Sequence, residues 1–130
     1  METAAKPSAP RKVLIIEDEH FITELYVRAL SRAGYDVTVE IDGQRGLDLA
    51  KTDQFDIILL DLMIPTITGI EVLRQLRSAG APKIKAKIVI TTNLEQREEI
   101  RADIESQADA YLVKAEITPR ELVEFLNTIN

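Results

Sequence analysis

Residues 57–61 read Ile57-Ile58-Leu59-Leu60-Asp61, four consecutive apolar residues that end at an acid. An apolar run of this length, without polar alternation, is typical of a strand that is buried on both faces of a parallel sheet. Val13-Leu14-Ile15-Ile16 repeats the pattern and is followed by Glu17 and Asp18. The two segments therefore predict two central strands whose carboxyl ends carry acidic side chains.

Three further segments have the character of strands. Val37, Val39 and Ile41 alternate with polar residues, which predicts an edge strand with one solvated face. Residues 88–90 and 110–113 are short apolar runs that end at Thr91 and Lys114. The segments between the strands carry apolar residues at helical spacing. Their predicted core positions are Ile22, Leu25, Tyr26, Ala29, Leu30 and Ala33 in the first helix, Leu47 and Ala50 in the second, Ile70, Leu73 and Leu76 in the third, Ile100 and Ile104 in the fourth, and Leu122, Phe125, Leu126 and Ile129 in the last.

Local signals predict where several helices begin and end. Gly34 is placed to end the first helix in a left-handed conformation, and the third helix is expected to end near Gly80. Thr68-Gly69-Ile70-Glu71 and Thr118-Pro119-Arg120-Glu121 both have the spacing of a capping box. The fourth helix has a thin apolar face and is expected to be loosely held.

Five strands that alternate with five helices predict an α/β fold, a doubly wound five-stranded parallel sheet with helices on both faces. The 130 residues fit one domain, predicted at 12–130, and residues 1–11, with Pro7 and Pro10, are expected to form a flexible tail. The net charge of −6 argues against direct binding of nucleic acid. No cysteine is present, and no apolar run approaches the roughly 18 residues that span a bilayer. A cytoplasmic protein is expected.

In such sheets, ligands bind outside the carboxyl ends of the strands. The polar residues predicted there are Glu17, Asp18, Asp61, Thr92 and Lys114. Taken singly they have structural alternatives: a helix cap for Asp18 or Glu19, a turn for Asp61, a helix cap for Thr92 or Asn93, and a solvated charge for Lys114.

The combination points to chemistry. Three carboxylates at one sheet edge raise one another's pKa unless a cation neutralises them, and hard oxygen ligands without His or Cys suit Mg²⁺. A lysine and a hydroxyl supply charge and a hydrogen bond for a phosphoryl group. A carboxylate among these groups can act as a nucleophile, as in aspartyl-phosphate intermediates.

The chain resembles the receiver domain of two-component response regulators. The resemblance rests on residues 13–19, on 59–65 with Gly69 following, on 90–92 and on 111–114, in the family's order and spacing. It implies a flavodoxin-like fold with strand order 2-1-3-4-5. It also implies a signalling switch that a sensor histidine kinase or a phosphotransfer protein phosphorylates, and that is not a conventional enzyme.

The resemblance also implies the role of each site residue. Asp61 is the phosphorylated residue, with Thr92 and Lys114 contacting the phosphoryl group. Asp18, Asp61 and the backbone carbonyl of Met63 are the implied Mg²⁺ ligands. Glu17 acts through a metal-bound water. Thr92, preferred over Thr91 because of its distance to Lys114, and Tyr111 are the implied switch residues.

Two positions depart from the family pattern, and two others are predicted to affect how long the phosphoryl group persists. Ala115 follows Lys114 where the family has proline after a cis bond, so a trans bond and a rearranged loop are the alternative. Gln107 replaces a glycine that is frequent before the last strand. Met63 and Leu94, two residues beyond Asp61 and Thr92, are predicted to flank the acyl phosphate and slow its hydrolysis, or merely to pack the loops.

Three functional hypotheses follow. The leading one is a stand-alone receiver whose output is contact with a protein effector, with a homodimer left open. A Mg²⁺-dependent phosphohydrolase that uses Asp61 would want a second acid two residues later, where Met63 stands. A degenerate receiver that binds partners without phosphorylation is disfavoured by the intact acidic residues, and Ala115 gives it slight support.

Overall fold

The computed structural model of the protein describes residues 9–93 and 96–129. Within that part of the chain, five strands and five helices alternate. The strands are β1 (Lys12–Ile16), β2 (Asp36–Glu40), β3 (Ile57–Asp61), β4 (Lys87–Thr92) and β5 (Ala110–Val113). The helices are α1 (His20–Arg32), α2 (Gly43–Ala50), α3 (Gly69–Arg77), α4 (Glu98–Glu105) and α5 (Pro119–Thr128), and a 3₁₀ turn covers Lys114–Glu116.

The strands form one parallel sheet in the order β2-β1-β3-β4-β5, which confirms the predicted topology. The register pairs Ile16 with Leu60 and Leu60 with Ile90. The carboxyl ends of β1, β3 and β4 therefore reach the same edge of the sheet. Strand β3 is buried throughout its length, whereas the edge strand β2 is largely exposed, as its alternating sequence predicts.

The sheet separates two apolar cores because successive side chains of a strand point to opposite faces. Leu14, Ile58 and Leu60 pack with α2, α3 and α4 on one face. Ile15 and Leu59 pack with α1 and α5 on the other. Burial of each such Leu or Ile side chain contributes about 1.5–3 kcal/mol, so the central strands are the most firmly held part of the fold. The backbone of the residues at the ends of these strands is therefore held in place as well.

Helix ends follow the predicted signals in part. Gly34 has φ +95° directly after α1, as expected for a glycine that ends a helix. Thr118 and Glu121 form the complete reciprocal capping box of α5. Thr68 caps α3 by accepting from the Glu71 N–H at 3.1 Å. The Glu71 side chain instead accepts from Arg74 and Gln75, so the predicted box at α3 is only half formed.

The end of α3 differs from the prediction, and the burial of α4 agrees with it. Helix α3 ends at Arg77 and not near Gly80. The Arg77 guanidinium crosses to the turn before β5, where it donates to the carbonyl of Gln107 at 2.8 Å and to Asp109 at 3.1 Å. This contact involves Gln107, the position at which the sequence departs from the glycine of the family it resembles. Helix α4 is short and fully buries a single side chain, Ile104, which agrees with its thin apolar face.

The amino-terminal approach to β1 is fastened to the end of the last helix. Residues 1–8 of the expected flexible tail lie outside the described residues. Arg11 donates from Nη1 to the carbonyl of Ile129 at 2.8 Å. None of the described helices has the length and apolar character that crossing a membrane requires.

Candidate functional site

Three carboxylates meet at the carboxyl edge of the sheet. Glu17 and Asp18 directly follow β1, and Asp61 is the last residue of the neighbouring strand β3. One carboxylate oxygen from each of the three lies within 4.8 Å of the others. Glu17 and Asp61 are buried and Asp18 is exposed, so the cluster has a closed base and an open side. The structure thus brings together the acidic residues that the sequence predicted.

Lys114 reaches this cluster from the far side of β4. Its Nζ donates to Oε1 of Glu17 and lies 3.5 Å from Oδ1 of Asp61. The peptide bond to Ala115 is trans, as the alternative stated for this position anticipated, and Lys114 begins the 3₁₀ turn. The side chain nevertheless lies within the site, 3% exposed. The alternative of a solvated lysine is therefore wrong.

The electrostatics of the cluster are dominated by burial. Desolvation raises the pKa of Glu17 to about 7, although the hydrogen bond from Lys114 opposes that rise. The nearby charge of Asp61 raises the same pKa further. Tyr26, assigned from the sequence to the core of α1, has a pKa raised to about 12 by burial and then by Glu17 and Asp61. The site therefore has an excess of negative charge that a single lysine does not neutralise.

One oxygen of Asp61 lacks a hydrogen bond. Oδ1 is buried, and no described residue donates to it. An unsatisfied buried carboxylate oxygen is costly, and in a native site it calls for a missing partner such as an ion. The donor set of three carboxylates without nitrogen or sulfur suits Mg²⁺. The residues present therefore fit a magnesium ion.

Two adjacent threonines end β4 beside the carboxylates. Thr91 and Thr92 are both buried, and Thr91 is the register partner of Asp61. Helix α4 begins at Glu98 with Arg97 at its N-cap, so the alternative that Thr92 or Asn93 caps this helix is wrong. The assignment of phosphoryl contact to Thr92 stays a prediction.

Tyr111 lies in the β4–β5 half of the site, with its ring in the core on the α4 side of the sheet. Its hydroxyl accepts from the Gln96 N–H at 3.2 Å. The guanidinium of Arg101 lies 4.5 Å from the centre of the ring. Neither contact is predictable from the sequence, because a backbone donor and a stacked arginine leave no signal in the spacing of residues. Tyr111 is thereby tied to the start of α4.

The β3–α3 loop carries Met63, two residues beyond Asp61. The Met63 side chain is 74% exposed, so the alternative that it packs the loop is wrong. Leu94 lies outside the described residues. Gly69 closes the base of the loop, since a Cβ there would lie 2.1 Å from the carbonyl oxygen of Asp61. A close approach of this kind admits only glycine.

Asp18 and Glu19 do not cap α1 with their side chains. Glu19 occupies the N-cap position but makes no side-chain cap bond. Its N–H instead donates to Oε2 of Glu17 at 3.3 Å. The chain after β1 is therefore organised around the Glu17 carboxylate, and Asp18 is left exposed at the rim.

Comparison with known proteins agrees with this geometry. The family model described as "Response regulator receiver domain" matches residues 13–127. The chain is 37% identical over 118 residues to the response regulator ArlR of Staphylococcus saprophyticus, which covers 91% of this chain and 50% of that protein. It is 37% identical over 112 residues to the alkaline phosphatase synthesis transcriptional regulatory protein PhoP of Bacillus subtilis, covering 86% of this chain and 45% of that protein.

The chain thus spans about half the length of these curated relatives. Among solved structures, the receiver domain of the Francisella response regulator 1452 superposes with a TM-score of 0.78 at 31% identity, covering 90% of this chain and 93% of that one. The match extends from β1 into α5 and includes every strand end that contributes to the acidic cluster. The chain belongs to the family of response regulator receiver domains, part of the two-component signalling systems.

Proposed function

We propose that this domain is a phosphorylation-dependent switch and that Asp61 accepts the phosphoryl group. The observation that carries the proposal is the buried Oδ1 of Asp61, which receives no hydrogen bond from a described residue and lies 3.5 Å from the ammonium of Lys114. A buried carboxylate oxygen that receives no hydrogen bond and lies next to a cation is placed to act as a nucleophile.

Mg²⁺ is the metal that the proposed site would hold, with Asp18, Asp61 and the backbone carbonyl of Met63 as ligands and Glu17 acting through a water. When bound, the ion supplies positive charge that offsets the three carboxylates and the phosphoryl oxygens. Asp18 is exposed and needs no rearrangement to receive a ligand from solvent. The other contributions to phosphoryl transfer come from side chains of the domain itself.

The proposed transfer is an in-line displacement. An oxygen of the Asp61 carboxylate forms a bond to phosphorus while the P–N bond of a phosphohistidine breaks, and the electron pair of that bond remains on the imidazole nitrogen. The product is an acyl phosphate on Asp61. Lys114 turns from Glu17 toward the phosphoryl oxygens, and the Thr92 hydroxyl donates to one of them, so that positioning and charge lower the barrier.

The proposed switch follows from contacts that exist only in the phosphorylated state. Lys114 and Thr92 gain a contact with the phosphoryl group when Asp61 is modified, and a two-state equilibrium shifts only through such differential contacts. Tyr111 is tied to the start of α4 and would transmit the movement of Thr92 to that helix. A protein effector reads the changed surface.

The family implies a histidine kinase or a phosphotransfer protein as the phosphodonor. We place the output in contact with a protein effector, because the net charge of −6 does not favour nucleic acid. The relative from Bacillus subtilis is named a transcriptional regulatory protein and is about twice as long as this chain.

The chemistry is tested by incubating the protein with Mg²⁺ and acetyl phosphate and measuring its intact mass. We expect addition of one phosphoryl group, dependent on Mg²⁺, located at Asp61 and absent in Asp61→Asn. Asp48→Asn, an exposed carboxylate on α2, is the matched control and keeps the modification. Sustained release of phosphate over many turnovers would favour the phosphohydrolase, and an unmodified wild-type protein would favour the degenerate receiver.

A further inference from the structure

The β3–α3 loop contains a residue whose backbone conformation is unfavourable for its type. Among the described residues, only Asp53 and Thr66 are non-glycine residues with positive φ, and Thr66 has φ +79°. A β-branched side chain is strained in the left-handed region. Such strain persists only where surrounding contacts hold the residue in place.

Those contacts come from the amino terminus of α2. The Thr66 hydroxyl donates to Oδ1 of Asp42, in a short hydrogen bond. The other carboxylate oxygen of Asp42, Oδ2, accepts from the Arg45 N–H at 2.9 Å and caps α2. Both hydrogen bonds lower the pKa of Asp42, with the bond from Thr66 as the larger cause. Asp42 therefore joins the loop to a helix end with its two oxygens.

Backbone contacts beside this pair press the loop against α2. The Gly43 N–H donates to the carbonyl of Pro65 at 3.0 Å. A Cβ at Gly43 would lie 2.4 Å from the carbonyl oxygen of Ile67. Only glycine allows the two segments to approach so closely. We call the Asp42–Thr66 hydrogen bond, together with the Gly43–Pro65 hydrogen bond, the loop clasp.

The loop is also closed at its base. The Gly69 N–H donates to the carbonyl of Leu62 at 3.0 Å. Met63 therefore lies between the closed base and the clasp at Pro65 and Thr66. Its side chain is 74% exposed and anchors nothing, so the position of its backbone carbonyl depends on the two flanking attachments.

We propose that Asp42 and Thr66 are positioning residues for the metal site, which hold the β3–α3 loop so that the Met63 carbonyl faces the Asp18–Asp61 edge. This inference rests on the proposed function, since Met63 is a ligand only if Mg²⁺ binds there. Residues that orient a metal ligand affect affinity strongly even though they do not touch the ion. Neither residue belongs to the acidic cluster itself.

Substitutions at Thr66 separate positioning from stability. Thr66→Ala removes the hydroxyl and keeps the strained Cβ, whereas Thr66→Gly removes both the hydroxyl and the strain. Thr66→Ser retains the hydroxyl and should restore the clasp. Thr52→Ala is the matched control, because the Thr52 hydroxyl, in the turn after α2, donates to the carbonyl of Leu49 at 2.6 Å.

The first measurement is Mg²⁺ affinity by isothermal titration calorimetry. We expect Thr66→Ala and Thr66→Gly to weaken binding by about tenfold, the lower end of the loss typical for residues that orient a ligand. Thr66→Ser and Thr52→Ala should stay within about twofold of the wild type on the same scale. If Thr66 affected only the stability of the loop, the variants would rank differently in Mg²⁺ affinity. Thr66→Gly would then bind Mg²⁺ as tightly as the wild type, because the backbone strain is relieved.

The second measurement is amide hydrogen exchange in the metal-free protein, which does not depend on the site being loaded. Thr66→Ala should accelerate exchange of the Gly43 amide, which bonds Pro65, and leave the Gly69 amide at the loop base unchanged. Wild-type affinity in both the alanine and glycine variants, or unchanged Gly43 exchange, would overturn the clasp while leaving phosphorylation of Asp61 intact. A wild-type protein that binds no Mg²⁺ would instead remove the proposed metal site and this inference with it.

Discussion

Lys114 and Glu17 form a buried ion pair that joins the end of β5 to the end of β1, with both side chains 3% exposed. β5 is an outer strand and β1 an inner one, so the pair links two strands that are not neighbours in the sheet. Asp61, at the end of β3, lies beside the pair. In the protein without metal, Lys114 is therefore the main counter-charge of the acidic cluster. This single contact links the stability of the domain to the chemistry proposed for it.

Removal of that counter-charge should destabilise the metal-free domain. Lys114→Met keeps the aliphatic stem and leaves Glu17 and Asp61 buried without a cation, which typically costs about 3–5 kcal/mol. Urea unfolding at pH 8 in the presence of a chelator measures the loss. Lys85→Met is the control, because Lys85 is an exposed partner of Asp56 at 3.9 Å and should change stability by less than about 1 kcal/mol. Equal stability of Lys114→Met and wild type would show that Lys114 is not the main group that offsets the buried charge of Glu17 and Asp61.

Glu17 should make the stability of the metal-free protein depend on pH. Its pKa rises from 4.5 to about 7 in the folded state, mainly through burial, so the folded protein binds this proton more tightly than the unfolded chain. The stability that it contributes is fully present below pH 4.5 and is lost as the pH rises through about 7. At the upper end the loss is on the order of 3 kcal/mol.

The comparison with Glu17→Gln isolates this effect, since glutamine resembles the protonated acid and does not titrate. Urea unfolding with a chelator at several values between pH 4.5 and 8 should show wild type losing stability relative to Glu17→Gln as the pH rises. Glu24→Gln, on the exposed side of α1, should follow the wild type. A constant difference between wild type and Glu17→Gln would show that the carboxyl does not titrate in this range.

The sequence predicts the part of this site that depends on strands. An apolar run that ends at Glu17 and another that ends at Asp61 place two carboxylates on neighbouring strands, because burial fixes the register of β1 against β3. The strand order then brings Lys114 to the same edge. Local periodicity places these residues at strand ends, whereas the strand order that brings the ends together is what the family resemblance implies.

Other features depend on contacts between distant segments and leave no local signal. Thr66 adopts a left-handed conformation that its side chain disfavours, and only the approach of Asp42 explains it. The Arg77 guanidinium at the end of α3 likewise binds a carbonyl thirty residues away in the chain. Sequence patterns indicate the backbone conformation that a segment prefers by itself. At these positions, contacts with distant segments override that conformational preference.

The lifetime of the phosphoryl group should depend on the residue at position 63. The Met63 side chain is exposed beside Asp61 and offers no group that could orient an attacking water. Met63→Asn supplies an amide that can, and should accelerate loss of phosphate by about tenfold, equivalent to about 1.4 kcal/mol of the barrier. The decay is followed by intact mass after removal of acetyl phosphate. Met63→Leu keeps an apolar side chain and serves as the control.

An equal decay rate in Met63→Asn and Met63→Leu would show that this position does not govern hydrolysis. Leu94→Glu gives a second test, because the sequence predicts that this position flanks the acyl phosphate and a carboxylate there can also orient water. We expect its rate to rise as well. If neither polar variant accelerates the decay, the slow hydrolysis predicted for this chain has another cause or does not occur.

The hydroxyl of Tyr111 should hold the start of α4 in the unphosphorylated protein. Tyr111→Phe keeps the ring under Arg101 and removes only the acceptor of the Gln96 N–H, at 3.2 Å. We expect a loss of about 1 kcal/mol in the free energy of unfolding, the usual net value of one hydrogen bond. Exchange of the Gln96 amide should accelerate, because α4 fully buries only one side chain and has little else to hold its first turn.

Tyr35→Phe is the matched control for this substitution. It removes the hydrogen bond from the Tyr35 hydroxyl to Asn127 at 2.7 Å, on the α1–α5 side of the sheet, and should leave Gln96 exchange unchanged. Phosphorylation of Asp61 by acetyl phosphate should proceed in both variants, since neither hydroxyl touches the acidic cluster. If Tyr111→Phe leaves Gln96 exchange unchanged, the hydroxyl does not restrain α4, and any switch role of Tyr111 must then act through its ring and Arg101.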